Sequence, residues 1–258
     1  MTNHTQYDKI SPAPMCIAIL LAGGTGSRVG TEIPKQYQLV NGRPLIAYSI
    51  DTLAVHPLIS GLWIVAEEDY EPILYKITSA YPGRLMGFSR PGKTRQLSIR
   101  NAVFDLCSHC KDDDRILIHD SARPCVTPEL ITQCIEALGQ HDGVMPVLPV
   151  TDTVYLSEDG STISSLLDRN HLYAGQAPEL FRLKAYADAM RQLSEEDLLA
   201  IHGSTEPAVM AGLDIALIPG DIGNYKITTP EDLERFRSMA DRQINSFANI
   251  NERKKAHQ

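Results

Sequence analysis

The chain has 258 residues, 43% of them hydrophobic, and a formal charge of −8 from 24 basic and 32 acidic side chains. This length supports one large domain, and the acidic balance argues against nucleic acid or a membrane surface as the main partner. No apolar run reaches the roughly 18 residues that a bilayer span needs, and residues 1–14 lack a signal-peptide core, so we predict a cytoplasmic protein. We expect a disordered lead-in over residues 1–14, one domain over residues 15–250 and a charged tail over residues 251–258.

The first predicted elements are a buried strand and a glycine loop that follows it. The apolar run Cys16–Leu21 is typical of a buried parallel strand. The loop region behind it contains four glycines and two cations, namely Gly23, Gly24, Gly26, Gly30, Arg28 and Lys35. Glycines let backbone N–H groups approach a phosphate closely, and Val29 stands where a dinucleotide-binding fingerprint requires glycine. The loop therefore predicts a triphosphate site, with a glycine-rich turn and solvated basic side chains as the alternative.

Apolar periodicity predicts the remaining elements in chain order. Helices are expected at residues 44–56, 69–80, 94–106 and 128–139, and strands at residues 62–66, 116–120 and 143–150. This βαβ alternation predicts an α/β protein with a mostly parallel sheet between two helix layers, a three-layer αβα Rossmann-like sandwich. Residues 151–175 alternate apolar and polar side chains and predict a β-hairpin arm that leaves the sheet, and such an exposed hairpin usually finds a partner.

A second phosphate-binding motif allows a different interpretation. Gly87–Thr94 matches the P-loop pattern G-x-x-x-x-G-K-T, and Arg115–Asp120 resembles a strand that ends in a magnesium-binding aspartate. The strand before this motif would be only Leu85–Met86, and the motif leaves the opening glycine loop unexplained. A P-loop NTPase that depends on Lys93 is therefore kept as an alternative of another class.

Several blocks taken together resemble the cytidylyltransferases that act on 2-C-methyl-D-erythritol 4-phosphate or on ribitol 5-phosphate. The blocks that carry the resemblance keep the family's order and are Ala22–Arg28 with Pro34–Gln36, Gly92–Ala102, His119–Pro124 and Gly223–Leu233. The resemblance covers roughly residues 15–245. It implies a nucleotidyltransferase fold, CTP as substrate, Mg²⁺ as cofactor, and transfer of the cytidylyl group to a polyol phosphate with release of pyrophosphate.

The resemblance also implies roles for individual residues of this sequence. The expected catalytic cations are Arg28, Lys35 and Lys226. The expected nucleotide-binding residues are Ala22, Gly23, Gly24, Gly26, Gly92, Lys93, Ser98, Asp120, Ser121 and Ala122. Asp120 is also the expected metal ligand, since a hard cation prefers a carboxylate together with phosphate oxygens. Without the resemblance, Ser98 and Arg95 are equally well explained as a helix cap and a solvated helix face.

For the acceptor, the resemblance implies a site shared between two subunits. The arm is expected to pair with a second copy, which gives a homodimer, and Asp152, Thr153 and Arg169 are expected to contact the acceptor phosphate in the neighbour's site. Thr205 is the expected acceptor-binding residue of another segment. A salt bridge within the arm between Asp152 and Arg169 is the structural alternative.

Two departures from the family pattern leave the acceptor open. The family usually has threonine where Ala177 stands, and Pro207 interrupts the segment around Thr205. We take 2-C-methyl-D-erythritol 4-phosphate as the first candidate and D-ribitol 5-phosphate as the alternative. A regulatory protein that binds CTP without turnover is a further hypothesis, and it differs by releasing no pyrophosphate.

Overall fold

The computed structural model describes residues 13–24 and 33–241. Numbered along the chain, the strands are β1 (Cys16–Leu21), β2 (Leu39–Val40), β3 (Arg43–Pro44), β4 (Gly61–Val65), β5 (Leu85–Ser89), β6 (Arg115–Asp120), β7 (Gly143–Pro149), β8 (Val154–Leu156), β9 (Ser165–Leu167), β10 (Tyr173–Gly175), β11 (Glu179–Arg182) and β12 (Ile215–Pro219). The helices are α1 (Leu45–Val55), α2 (Glu71–Thr78), α3 (Arg95–Cys107), α4 (Pro128–Ala137), α5 (Leu183–Arg191), α6 (Glu195–Ala200), α7 (Glu206–Met210) and α8 (residues 230–241). Short 3₁₀ turns lie at Lys35–Tyr37, Glu68–Tyr70 and Arg169–His171.

The central sheet is mostly parallel, as the βαβ alternation predicts. Strands β5, β4, β1 and β6 are neighbours in that order and all run parallel. Strand β11 is antiparallel to both β6 and β7, while β12 pairs with β7 in parallel and β10 pairs with the end of β7 in antiparallel fashion. The register aligns Leu21 with both Val65 and Asp120, so three parallel strands end at the same level. Segments that follow these strands are therefore neighbours at one edge of the sheet.

Alternating side chains of β1 supply the core on both faces of the sheet. Ala18 and Leu20 pack in a cluster that includes side chains of α1, α2 and α4. Ile17 and Ile19 pack in a second cluster with side chains of α3, α5, α6 and α7. Because successive strand residues point to opposite faces, an apolar run buried on both sides requires helices on both sides. The predicted three-layer sandwich is confirmed.

A third apolar cluster brings helix α8 to the same edge of the sheet. Leu233 and Phe236 of α8 pack with Val40, Leu45 and Ile227. The backbone N–H of Ile227 also donates to the carbonyl oxygen of Ala122, at 2.8 Å. These contacts fix the segment that carries Lys226 beside the end of β6.

The arm is a two-stranded hairpin of β8 and β9 that forms a sheet separate from the central one. Apolar side chains on it are exposed, among them Tyr155 at 55%, Ile163 at 67% and Leu166 at 65%. The predicted boundary at residue 175 is wrong, because Tyr173–Gly175 pairs with β7 and belongs to the central sheet. No helix in the described part of the chain is both long and apolar enough to cross a membrane.

The segment with the P-loop pattern has a different backbone from the one that the motif requires. Gly87 lies inside β5, paired with Trp63 of β4, and a Cβ at this position would lie 2.7 Å from the Trp63 ring. Only residues 90–94 connect β5 to α3. The first half of the motif is therefore strand and cannot wrap around a phosphate chain.

Candidate active site

A cavity of about 590 Å³ lies at the carboxyl ends of β1, β4 and β6. It is lined by Leu21, Gly23, Gly24, Lys35, Gln36, Val65, Glu67, Gly92, Lys93, Thr94, Arg95, Ser98, Asp120, Ser121, Ala122, Lys226 and Thr228. This one cavity is thus lined by most of the expected nucleotide-binding residues and by two of the expected catalytic cations, Lys35 and Lys226. Ala22 precedes the lining glycines, while Gly26 and Arg28 lie outside the described residues. Carboxyl ends of parallel strands are where open α/β sheets bind their ligands.

The glycine loop is packed closely against the connection between β5 and α3. A Cβ on Gly23 would collide with the side chain of Pro91, so the site requires glycine there. The N–H of Ala22 still donates to the carbonyl oxygen of Val65, at 2.8 Å, which continues the β1–β4 ladder to the start of the loop. The loop therefore begins from a fixed strand end.

The loop before α3 is closed by Ser98 from inside the helix. The Ser98 hydroxyl accepts a hydrogen bond from the N–H of Gly92 at 2.9 Å and donates one to the carbonyl oxygen of Thr94 at 2.8 Å. Thr94 is the residue that caps the helix, because its hydroxyl accepts from the N–H of Leu97 at 3.2 Å. The interpretation of Ser98 as the cap is wrong, and Ser98 instead sets the shape of a loop that lines the cavity.

Asp120 is the centre of a charged cluster at the end of β6. Its two carboxylate oxygens accept hydrogen bonds from Arg95 Nε at 3.0 Å and from Lys226 Nζ at 2.8 Å, and Arg123 Nε lies 3.9 Å away. Burial alone would raise the pKa of Asp120, but the Arg95 and Lys226 charges outweigh burial and hold that pKa well below its usual range. Arg95 is therefore an ion-pair partner of Asp120, and its assignment to a solvated helix face is wrong.

Lys35 and Lys226 approach the cavity from one side. Lys35 Nζ donates to the carbonyl oxygen of Ile227 at 2.7 Å, directly next to Lys226. The Arg123 guanidinium, in the same cluster, donates through Nη1 to the carbonyl oxygen of Asn224 at 2.6 Å and braces that loop. The arrangement concentrates positive charge at the cavity, which suits an anionic ligand.

Glu179 is a residue of this neighbourhood that the motifs did not indicate. It lies on β11 opposite Ile118 of β6, is 6% exposed, and its Oε2 has no hydrogen-bond partner among the described residues. Burial raises the pKa of Glu179 to about 7, although the nearby Arg95 charge acts to lower it. An unpaired carboxyl next to an ion-pair cluster is a polar group whose charge changes near neutral pH.

The donor chemistry of the cavity fits magnesium that is delivered with a triphosphate. Among residues 13–24 and 33–241, no group of three His, Cys, Asp or Glu side chains could hold a metal on its own. Mg²⁺ commonly binds one or two carboxylates and takes its other ligands from phosphates and water. Asp120 and Glu67 are carboxylates that line the cavity.

The expected acceptor residues fall in two separate places. Asp152, Thr153 and Arg169 lie on the exposed base of the arm and do not line the cavity. Arg169 donates to the carbonyl oxygen of Thr151 at 2.5 Å, so the described arm does not form the alternative salt bridge between Arg169 and Asp152. Thr205 is buried just before α7, and its hydroxyl has no hydrogen-bond partner in the described part of the chain.

The surroundings of Thr205, and of the two departures from the family pattern at Pro207 and Ala177, are defined by the following contacts. Ser204, next to Thr205, accepts a hydrogen bond from Arg95 Nη1 at 2.9 Å. This contact connects the loop before α7 (residues 201–205), here called the α7 loop, to the Asp120 cluster. Pro207 lies in the first turn of α7, where a missing N–H is tolerated. Ala177 is buried, and its carbonyl oxygen accepts from Asn224 Nδ2 at 2.7 Å.

Comparison with known proteins gives one consistent family. A family model described as 2-C-methyl-D-erythritol 4-phosphate cytidylyltransferase matches residues 16–241. The bifunctional enzyme IspD/IspF of Rhodopseudomonas palustris (strain HaA2) is 35% identical over 230 residues, which cover 87% of this chain and 55% of that protein. The ribitol-5-phosphate cytidylyltransferase of Streptococcus pneumoniae serotype 2 (strain D39 / NCTC 7466) is 32% identical over 235 residues, which cover 88% of this chain and 100% of that protein.

A solved structure agrees with these sequence relatives. The crystal structure of a 4-diphosphocytidyl-2C-methyl-D-erythritol synthase superposes with a TM-score of 0.73 at 27% identity and covers 89% of this chain and 100% of that one. The chain spans 55% of the length of the bifunctional relative and the full length of the ribitol-phosphate relative. With the family model matched over nearly the whole described region, the chain belongs to the 2-C-methyl-D-erythritol 4-phosphate cytidylyltransferase family.

Proposed function

We propose that this protein transfers the cytidylyl group of CTP to a polyol phosphate, with 2-C-methyl-D-erythritol 4-phosphate as the first candidate acceptor, and releases pyrophosphate. The observation that carries the proposal is one cavity lined by Gly23 and Gly24, the Gly92–Thr94 loop, Asp120, Lys35 and Lys226. Family membership supports CTP as the nucleotide. The two lysines are the charges that a triphosphate would meet at that cavity.

The reaction is a displacement at the α-phosphorus of CTP by a phosphate oxygen of the acceptor. The attacking oxygen is already anionic, so no general base is required, and the barrier comes from charge repulsion and orientation. Lys35 and Lys226, together with Arg28 outside the described residues, neutralise charge on the α-phosphate and on the leaving pyrophosphate. When bound, magnesium would be held by Asp120 and by phosphate oxygens, and it would supply further charge neutralisation.

In this proposal, different loops around the cavity bind different parts of the nucleotide. Glycine-loop N–H groups suit the phosphates, while the loop closed by Ser98, with Gly92 and Lys93, presents fixed backbone groups to the cytosine ring and ribose. Ser121 and Ala122 at the end of β6 complete the ribose side. Site groups that would be left unpaired by another base provide the discrimination.

The acceptor site is proposed to be completed by a second copy of the chain. The exposed apolar side chains of the arm favour burial against another subunit, and Asp152, Thr153 and Arg169 at its base would then reach the neighbour's cavity. Thr205 is proposed to contact the acceptor from the cavity's own chain, since its buried hydroxyl is left without a partner among the described residues. We propose a homodimer on these grounds.

D-Ribitol 5-phosphate is the second candidate acceptor. It is favoured by the Streptococcus pneumoniae relative, which bears that substrate in its name and is covered over 100% of its length. Both acceptors are polyol phosphates, and the same cations can serve either one. The arm and the α7 loop, not the nucleotide half, would have to distinguish them.

The test is pyrophosphate release with CTP and magnesium against 2-C-methyl-D-erythritol 4-phosphate, D-ribitol 5-phosphate and glycerol 3-phosphate. We expect CTP-dependent release with one of the first two acceptors and a lower kcat/KM with the others. Hydrolysis of ATP or GTP without an acceptor, lost in Lys93→Ala and retained in Lys35→Ala, would support a P-loop NTPase instead. CTP binding with no pyrophosphate from any acceptor would support a regulatory protein.

A further inference from the structure

The 3₁₀ turn Lys35–Tyr37 connects two parts of the cavity that are distant in sequence. The side-chain amide nitrogen of Gln36 donates to the carbonyl oxygens of Ala22 and Gly24, both at 2.7 Å. The Tyr37 hydroxyl donates to the same Ala22 carbonyl at 3.2 Å. Lys35, the first residue of the turn, donates to the backbone beside Lys226. One short turn therefore connects residues 22–24 to the segment that carries Lys226.

The two Gln36 hydrogen bonds fix peptide planes in the glycine loop. Carbonyl and N–H of a trans peptide lie in one plane and point in opposite directions, so an anchored Ala22 carbonyl also orients the N–H of Gly23. Glycine has more conformations to lose than any other residue, and a loop of glycines is not ordered by its own side chains. Gln36 is 3% exposed, so these hydrogen bonds compete little with water.

We propose that Gln36 is a positioning residue for Ala22–Gly24, the start of the glycine loop, acting through the Ala22 and Gly24 carbonyls to keep these peptides oriented for the triphosphate of CTP. The inference rests on the proposed function, because it takes CTP as the ligand of the cavity. Gln36 contributes to nucleotide affinity by preorganising the loop, which lowers the ordering cost on binding. It is not expected to affect the acceptor, whose proposed contacts lie on the arm and the α7 loop.

The test compares Gln36→Met with the matched control Gln38→Met. Methionine keeps the length of the side chain and removes the amide, and Gln38 lies two positions away, where its amide makes a long 3.4 Å hydrogen bond to the carbonyl oxygen of Ile33. The measurements are the KM values for CTP and acceptor, the Kd of CTP with magnesium by calorimetry, and Tm. We expect Gln36→Met to raise the CTP Kd and KM about tenfold, with the acceptor KM within about twofold, and Gln38→Met to leave all three near wild type.

Several outcomes would overturn the inference. An unchanged CTP Kd in a folded Gln36→Met protein would do so, and so would equal rises in the KM for CTP and for the acceptor. If Gln36→Met does not fold, Gln36→Asn carries the same expectation, since it keeps the amide but is too short to reach both carbonyls. Failure of the proposed function would give a different result. Wild type would release no pyrophosphate, but the ratio of the CTP Kd of Gln36→Met to that of wild type would still test the role of Gln36. Absence of CTP binding by wild type would overturn both.

Discussion

Replacing Glu179 with glutamine should make the protein more stable at neutral and alkaline pH. Glu179 is buried next to Arg95, Asp120, Arg123 and Lys226, and Tyr186 also lies within electrostatic reach. Burial raises its pKa from the ordinary 4.5 to about 7, so the folded protein holds a proton that the unfolded chain has already lost. Glutamine keeps the shape and the hydrogen-bonding groups without the ionisation.

The magnitude follows from linkage. Between pH 4.5 and about 7 the folded state binds one proton more than the unfolded state at Glu179, so this group's contribution to the free energy of unfolding falls as pH rises. A difference of 2.5 pKa units corresponds to about 3 kcal/mol at about 1.4 kcal/mol per unit. The Glu179→Gln variant should therefore gain about 3 kcal/mol over wild type as pH rises through this window, and the gain should stay constant above it.

The assay is urea unfolding of both proteins at closely spaced pH values from 4.5 to 8.5. The difference between the two curves is the quantity to read, because other groups titrate too. Burial lowers the pKa of His119 to about 4, so its contribution rises with pH and opposes that of Glu179 up to about pH 6.5. The depressed pKa of Asp120 contributes stability that is lost only at pH values below the range of the assay. The contributions of His119 and Asp120 are present in both proteins and cancel in the difference between the two unfolding curves. A difference that does not change with pH would refute the reasoning.

Three further predictions concern activity and assembly. Lys35→Ala should lower turnover in the pyrophosphate assay by about 10²-fold or more while Tm changes little, because a positioned cation stabilises transition-state charge; an unchanged rate would contradict its catalytic role. Asp120→Asn should raise the magnesium concentration for half-maximal rate, measured by titration at fixed CTP, and an unaltered magnesium curve would remove Asp120 as a ligand. Leu166→Asp, on the exposed arm, should give a monomer by light scattering with unchanged circular dichroism, whereas a persisting dimer would exclude the arm as the interface.

The fold, and the position of Gly23, Gly24 and Asp120 around one cavity, could be predicted because their signals are local in sequence. Cys16–Leu21 is apolar on both faces, which requires a buried strand, and the register then places Gly23 and Asp120 at one edge. The P-loop pattern shows the limit of such motifs, since Gly87 satisfies the pattern from inside a strand. The family and the mostly parallel sheet are confirmed.

Residues that depend on long-range packing were harder to predict. Arg95 looks like an exposed helix residue in the sequence, because its partners Asp120 and Ser204 come from a distant strand end and loop. Glu179 follows an apparently ordinary turn, and only the antiparallel insertion of β11 beside β6 buries it near the charged cluster. Periodicity predicts which face of an element is buried, but it does not predict which charge of a distant element lies there.

The ion pairs of Asp120 determine which contacts of Lys226 and Asp120 are involved when a nucleotide binds. One carboxylate oxygen of Asp120 accepts from Arg95 and the other from Lys226, and these two ion pairs offset the burial of Asp120. The ammonium of Lys226 has three N–H donors, so its hydrogen bond to Asp120 leaves donors for a phosphate in the cavity that Lys226 lines. Under the proposed function, magnesium bound with CTP would add a cation at Asp120, and Lys226 would then share its donors between Asp120 and the phosphates. Arg95 also donates to Ser204, so the Asp120 cluster is connected to the segment that carries Thr205. The proposed nucleotide half and the proposed acceptor half thus meet at one half-buried arginine.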